Sequence, residues 1–282
     1  MKIETGMVAV ITGAGSGIGR ALAEKAAHSG MRVVVADVEQ PRLDDTVAAL
    51  GQIGAEVIGV LTDVSVEADI QRLSDTAFAE FGNVNLLCNN AGVFSGGLMW
   101  ERSAADWEWV MGVNVFALTY AVRAFVPRML ESNEPGHIVN TASMGGVVTG
   151  AYSGPYFTSK FAAVGLTDCL AQDLRTTGKP VNASVLVPSL INTDIGSSKR
   201  NRPERFIDRL HEAGPDVEFV EQMLTSSTKE AGMAPSEVAD LVFNAVEAQQ
   251  FWIPTKPSFH DQVRARHEDM QALRLPVPPL LD

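Results

Sequence analysis

Tyr156 and Lys160 stand four residues apart in Pro155-Tyr156-Phe157-Thr158-Ser159-Lys160. On a helix that spacing sets both side chains on one face. An ammonium beside a phenol favours the phenolate and draws its pKa toward the working range of a general acid/base. Alone, such a pair is usually a surface contact, so its meaning depends on its surroundings. Ser143 closes Thr141-Ala142-Ser143 after an apolar run, a position at the carboxyl edge of a sheet from which a hydroxyl enters a crevice. Asn114 lies in Gly112-Val113-Asn114-Val115, inside a long helical pattern. Asparagine is a poor helix former there, and its ordinary role is to bond a helix carbonyl.

A second chemistry is anion binding. Thr12-Gly13-Ala14-Gly15-Ser16-Gly17-Ile18-Gly19 follows one apolar run and opens a helical one. Glycines allow a tight turn and close approach of backbone to a pyrophosphate, and the helix N-terminus offers unpaired N–H groups. The GxGxxG register fails, because Ile18 stands where a glycine would be needed; the pattern is TGxxxGxG. Gly13, Ser16, Gly17, Ile18 and Gly19 are therefore the candidate phosphate contacts. Asp37 ends the next apolar run, where a carboxylate accepts hydrogen bonds from an adenosine ribose and repels a 2′-phosphate. Val38 and Glu39 follow it, and Arg42 is the nearby cation. This favours NAD over NADP. Asp63 and Val64 fall at the end of a third run, beside the expected adenine pocket, with helix capping as the competing role.

These residues need elements to hold them. Val8–Ile11, Arg32–Ala36, Val57–Leu61, Asn85–Cys88, His137–Thr141, Ala183–Val187 and Phe251–Ile253 read as strands. Between them Gly17–Ser29, Pro41–Leu50, Glu67–Phe81, Trp107–Leu130 (bent near Pro127), Tyr156–Arg175 and Ser236–Glu247 read as helices. Alternation through the whole length argues an α/β fold, a doubly wound parallel sheet with helices on both faces, as a single Rossmann-like domain over 1–282. Two segments break the rhythm. Residues 190–233 read as long, polar and irregular, as a lid over a binding site would. Residues 259–282 read as a tail with one short helix that wraps a neighbouring subunit or frays.

The bulk numbers fit this reading. Of 282 residues 46% are hydrophobic, enough for a sizeable core, and 20% are charged. A net charge of −12 opposes nucleic acid and anionic membranes. Cys88 and Cys169 lie in apolar sequence and read as free core thiols in a reducing compartment. No stretch reads as a leader or a membrane span, which suggests a soluble cytoplasmic protein. The five histidines share no metal-ligand spacing, so no metal is expected and all five read as structural or surface groups.

TGAGSGIG, NNAG, the Asn114 position, Ser143 and YFTSK occur in the order and spacing of the short-chain dehydrogenase/reductase family, which residues 5 to 255 resemble in its shorter, single-domain type. The resemblance implies an oxidoreductase that moves a hydride between a nicotinamide cofactor and a secondary alcohol or ketone. It implies Tyr156 as general acid/base and Lys160 as the residue that lowers its pKa and holds the nicotinamide ribose. It implies Ser143 as the hydroxyl that polarises the substrate oxygen and Asn114 as the holder of a water in a proton relay. Asn90 and Gly92 would belong to the cofactor wall, with Pro188, Ile191 and Thr193 around the nicotinamide. Where family members usually have Pro-Gly, this chain has Pro188-Ser189, which alters the pocket's local shape. The family also implies a homodimer or homotetramer.

Phe94, Met99, Met144, Val147, Tyr152 and Leu190 flank these motifs and suggest a bulky, apolar substrate such as an aryl or alicyclic alcohol. Lys199, Arg200, Arg202, Arg205 and Arg209 interleave with Asp194, Glu204 and Asp208, which favours a solvated face over an anion clamp. Trp100, Trp107 and Trp109 read as packing residues. A sugar-nucleotide epimerase would need TGxxGxxG and a larger C-terminal domain. A dinucleotide-sensing protein without turnover is the remaining alternative, opposed by the presence of all four catalytic positions.

Overall fold

The computed structural model describes residues 1–208 and 214–278. A seven-stranded sheet forms its centre: β1 (Val8–Thr12), β2 (Arg32–Asp37), β3 (Val57–Leu61), β4 (Leu86–Asn89), β5 (Gly136–Thr141), β6 (Val181–Val187) and β7 (Trp252–Pro254). Every pairing is parallel, in the order β3-β2-β1-β4-β5-β6-β7. Val10 is opposite Val34 on one side and Leu87 on the other. Such a central strand is buried on both faces, which explains its unbroken apolar run. The order reverses between β1 and β4, and at that switch point a crevice opens outside the carboxyl ends of the strands.

Helices cover both faces. α1 (Gly17–His28), α2 (Gln40–Gln52) and α8 (Pro235–Glu247) pack on one, around Leu22, Leu43, Leu50 and Phe243. On the other lie α3 (Glu67–Phe81), α4 (Ala104–Met111), α5 (Ala117–Ser132) and α6 (Gly154–Thr177), around Leu73, Phe125, Trp109 and Met129. The long pattern through residue 130 is thus two helices joined by a π-helical turn, Gly112–Phe116, that carries Asn114. Helical structure continues through Pro127 to Ser132, so the irregularity falls at the Asn114 turn, where an extra residue widens the coil. A Ser103–Asp106 capping box starts α4 three residues before the expected boundary.

The 190–233 segment is more regular than its sequence suggests. Two 3₁₀ turns, Ile195–Asn201 and Glu204–Phe206, precede α7 (Pro215–Ala231). Pro215 suits the first turn of a helix, and Val217, Val220 and Thr228 are buried while most other positions are polar and Phe219 and Met223 stand exposed. A narrow apolar stripe in a polar segment masked the helix. The tail forms α9 (Phe259–Gln271), docked through Phe259 and by Arg266 over the Phe161 ring.

Three further expectations change. Cys169 is exposed on α6, because the sheet takes the opposite face of that helix; only Cys88 is a core thiol. Trp100 is 80% exposed, standing on a 3₁₀ turn outside the core. The stretch Ala104–Ser132 is long and apolar enough to cross a membrane, with mean hydropathy 1.5 over its best window, yet 67% of that window is buried inside the fold.

Candidate active site

One cleft runs along the carboxyl edge of the sheet, and most of the expected residues line it. Gly13, Ser16, Gly17, Ile18, Asp37, Asp63, Val64, Asn90, Gly92, Ser143, Tyr156, Lys160, Pro188, Ile191 and Thr193 all face it. Gly19 and Asn114 stand behind its wall. At Gly19 a side chain is impossible, because a Cβ would lie 2.1 Å from the Gly13 carbonyl oxygen. That contact seats the start of α1 against the turn after β1. Gly17 has φ +53°, in the left-handed region. Ser16 precedes α1 without a side-chain cap, so the first N–H groups of α1 remain open toward the cleft. A glycine turn and an uncapped helix start fit a pyrophosphate.

Asp37 is fixed at the far end. Its Oδ2 accepts the Gly15 N–H at 2.8 Å and its Oδ1 the Glu39 N–H at 2.9 Å. Both oxygens keep a lone pair for ribose hydroxyls. Asn90 ties β4 to the turn after β1, its side-chain Nδ2 donating to the Thr12 carbonyl at 3.1 Å. Among the described residues no group of three His, Cys, Asp or Glu side chains could hold a metal ion.

At the other end of the cleft Ser143, Tyr156 and Lys160 converge from the end of β5 and the first two turns of α6. Ser143 Oγ accepts the Gly145 N–H at 3.0 Å and hydrogen-bonds the Tyr156 phenol. Phe94 meets the Tyr156 ring edge-on at 5.2 Å between centroids. Burial raises the phenol pKa and the Ser143 hydrogen bond opposes it. Lys160 is buried, donates Nζ to the Thr141 carbonyl at 3.0 Å and lies 5.6 Å from the Tyr156 ring centre. Burial pushes the Lys160 ammonium down to about 8. Desolvation thus outweighs the Ser143 hydrogen bond at the phenol. Only one donor of Lys160 is committed to Thr141; an ammonium has three.

Asn114 is held by long-range bonds and not by its own helix. Its Oδ1 accepts the Val93 N–H at 2.9 Å, and its Nδ2 donates to the Val93 carbonyl at 3.0 Å and to Ser159 Oγ at 2.9 Å. It therefore clamps the loop that follows Gly92 to the helix carrying Tyr156 and Lys160. Ser189 N–H donates to Thr255 Oγ1 at 3.0 Å, which anchors the turn after β6 where the family glycine is missing.

The expected apolar lining is half right. Phe94, Met144 and Leu190 face the cleft, whereas Met99, Val147 and Tyr152 do not. Val220, Met223 and Leu224 of α7 and Phe157 of α6 were not foreseen. Their i, i+3, i+4 spacing was the available signal. The basic cluster is largely exposed, as a solvated face would be, with ion-pair partners beyond its own segment. Arg200 reaches Glu39 at 3.1 Å, Arg205 reaches Asp63 at 2.7 Å and Lys199 reaches Glu221 at 2.9 Å. Arg202 pairs with Asp106 at 2.5 Å and lies over the Trp109 ring. The interleaved signs pair with the body of the protein more than with each other. Arg209 lies outside the described residues.

A model of the short chain dehydrogenase family matches residues 7–204. The chain belongs to the short-chain dehydrogenase/reductase family. A short-chain dehydrogenase/reductase from Burkholderia phymatum, solved in complex with NAD, is 46% identical with a TM-score of 0.96, covering 99% of each chain. A 1-deoxy-11-beta-hydroxypentalenate dehydrogenase of Streptomyces exfoliatus is 36% identical over 99% of this chain and 93% of its own. A CLA biosynthesis dehydrogenase/reductase of Lactiplantibacillus plantarum is 33% identical over 94% and 93%. This chain is accordingly an oxidoreductase of alcohol- and ketone-type substrates from a family that uses a nicotinamide cofactor.

Proposed function

We propose that this short-chain dehydrogenase/reductase is an NAD(H)-dependent dehydrogenase of bulky, apolar secondary alcohols, or the reductase of their ketones. The observation that carries the reading is the convergence of Ser143, Tyr156 and Lys160 in a cleft whose other end presents the fixed Asp37 carboxylate. Asp37 accepts from the adenosine ribose, and the turn Gly13–Gly19 with the start of α1 holds the pyrophosphate. Pro188, Ile191 and Thr193 contact the nicotinamide end, beside Asn90 and Gly92. When bound, the dinucleotide supplies the acceptor or donor for the hydride.

The chain's own groups handle the proton and the charge. For oxidation the Tyr156 phenolate takes the hydroxyl proton, and Ser143 donates to the substrate oxygen as it becomes an alkoxide. Lys160 holds the ribose with its remaining donors and keeps positive charge near the phenolate. Asn114 positions Lys160 and Tyr156 through Val93 and Ser159, and holds the water that relays the proton outward. Phe94, Met144, Leu190, Val220 and Met223 form an apolar wall that excludes water and favours an alicyclic or aryl skeleton over a charged one. The relative named for a hydroxypentalenate supports an alicyclic substrate. Residues 190–233 serve as lid.

The protein is read as a cytoplasmic homo-oligomer. Exposed Phe116 on the π turn, and Gly165 and Cys169 on α6, leave an apolar surface of small side chains for a second copy. The deciding experiment measures NADH and NADPH binding by fluorescence, then turnover over a panel of aryl, alicyclic and steroid alcohols. Tight NADH binding with turnover on a bulky member bears the reading out. Tight binding with no turnover on any member would favour a dinucleotide sensor.

A further inference from the structure

Asp37 is not the only acid at the ribose end of the cleft. Glu39 follows two residues later, between β2 and α2, and also faces the cleft. Its carboxylate is divided between two guanidiniums. Oε2 takes Arg42 Nε at 3.3 Å and Oε1 takes Arg200 Nε at 3.1 Å. Arg42 comes from α2 and Arg200 from the 3₁₀ turn of the lid, so Glu39 joins cations from opposite sides of the cleft. Arg42 is further held by Asp194 at 3.1 Å, and Arg200 Nη1 donates to the carbonyls of Asp194 and Ser197.

Both arginines stand at the same end of the cleft as Asp37, the carboxylate read as the ribose contact. A Cβ built on Gly15 would lie 2.9 Å from Asp37 Oδ2 and 2.9 Å from Arg42 Cβ, so the Arg42 stem adjoins the ribose-binding carboxylate. Arg200 lines the same cleft as Asp37. Planar guanidiniums are the preferred partners of phosphate. The chain therefore carries two groups suited to NADP and occupies both. Here three carboxylates, Asp37, Glu39 and Asp194, outnumber the two cations.

We propose that Glu39 is a specificity-determining residue that enforces NAD preference by sequestering Arg42 and Arg200, acting beside Asp37. The proposal rests on the NAD reading above. Asp37 rejects the 2′-phosphate directly, and Glu39 withholds the cations that would compensate. Removing the Glu39 charge balances the cluster, and removing that of Asp37 as well leaves it net positive.

The test is a set of variants, Glu39→Gln, Asp37→Ser and the double, each titrated with NADH and NADPH and assayed with one alcohol. Glu39→Gln should tighten NADPH about tenfold, the effect of a freed charge-assisted contact, with a smaller change for NADH. Asp37→Ser alone should act mainly by weakening NADH. The double should tighten NADPH by more than the product of the single effects, because the two carboxylates oppose the same phosphate. The gain should shrink as salt is raised. Adding Arg42→Gln and Arg200→Gln to Glu39→Gln should cancel it. An unchanged NADPH affinity in Glu39→Gln, at an unchanged unfolding temperature, overturns the proposal. So does a gain that survives loss of both arginines. The wild-type preference reports separately on Asp37: equal NADH and NADPH affinity there would sink the NAD reading, while the Glu39→Gln shift would still decide this one.

Discussion

Tyr156 works only if its phenol can lose a proton, and its surroundings pull in two directions. Burial raises its pKa and the Ser143 hydroxyl lowers it. For alcohol oxidation the phenolate is the active form, so activity should climb with pH on the alkaline side. Tyr156→Phe should remove turnover while NADH binding changes little, since the proposed role of the phenol is to accept the proton and the dinucleotide would keep its other contacts; oxidation at the wild-type rate would refute the assignment. Ser143→Ala deletes both the donor to the developing alkoxide and the bond that favours the phenolate. Its kcat should fall by about two to three orders of magnitude. Its alkaline limb should also move to higher pH, which a pH–rate profile resolves; a lower kcat with an unmoved limb would restrict Ser143 to the substrate oxygen. At this scale the sequence was legible only as a set: the Tyr156–Lys160 pair alone would read as a surface contact, but with Ser143 and Asp37 it marks residues that line one cleft. What it hid was the balance of forces on the phenol, since desolvation depends on Phe94 and other residues remote in sequence.

Elements were legible where their pattern had a strong period and obscure where tertiary contacts decide. The alternation of strands and helices follows directly from the apolar runs, whereas α7 and the π turn at Asn114 do not. α7 is amphipathic with a narrow stripe, and the π turn is stabilised by Val93 and Ser159, across the cleft from its own sequence. The 3₁₀ segment 195–206 is pinned to the body in the same long-range way. Arg202 and Asp106 are both largely buried, and Asp106 also caps α4 through Ser103. Burial would raise the Asp106 carboxyl, but the Arg202 hydrogen bond and charge together with Ser103 hold it below the usual range. Asp106→Ala therefore removes the carboxylate half of the capping box and leaves the Arg202 guanidinium over Trp109 without its ion-pair partner, held by the Phe206 carbonyl. The cost should be about 3 kcal/mol, more than a cap alone. Denaturant unfolding would measure it, and weaker NADH binding should accompany it because the strap at Arg200 and Arg205 loses its base. A cost near the 1 kcal/mol typical of a lost cap would show that the Arg202 pair contributes nothing net.

Across the whole molecule, the sheet order and the cleft at its switch point were foreseeable from β-α alternation alone, since right-handed crossovers leave few topologies. The composition could not show which polar groups the core would bury. His137 is one. It begins the buried part of β5, at the end of the sheet opposite the cleft, and is fully buried. Its Nε2 is 2.6 Å from Ser184 Oγ on β6, and that hydroxyl donates to the Gln250 carbonyl at 2.6 Å. Ser184 therefore accepts from Nε2–H, which places the neutral ring in its Nε2–H tautomer, while Nδ1 is buried without a hydrogen-bond partner among the described residues. Burial, with the charge of the N-terminus, pushes its pKa down to about 3 from an ordinary 6.5. Between those values the unfolded chain binds a proton that the fold excludes, so the stability this residue supports is complete above pH 6.5 and is lost as pH falls toward 3. The slope is about 1.4 kcal/mol per pH unit, so about 2 kcal/mol should disappear between pH 6.5 and 5, before the carboxylates titrate. Replacing His137 by Gln keeps a donor for Ser184 and cannot take up a proton. Urea midpoints at pH 7 and pH 5 should diverge for the natural chain and stay close in His137→Gln. Equal drops in both would mean that His137 protonates within the fold and that β5 and β6 open more readily at that end than their burial implies.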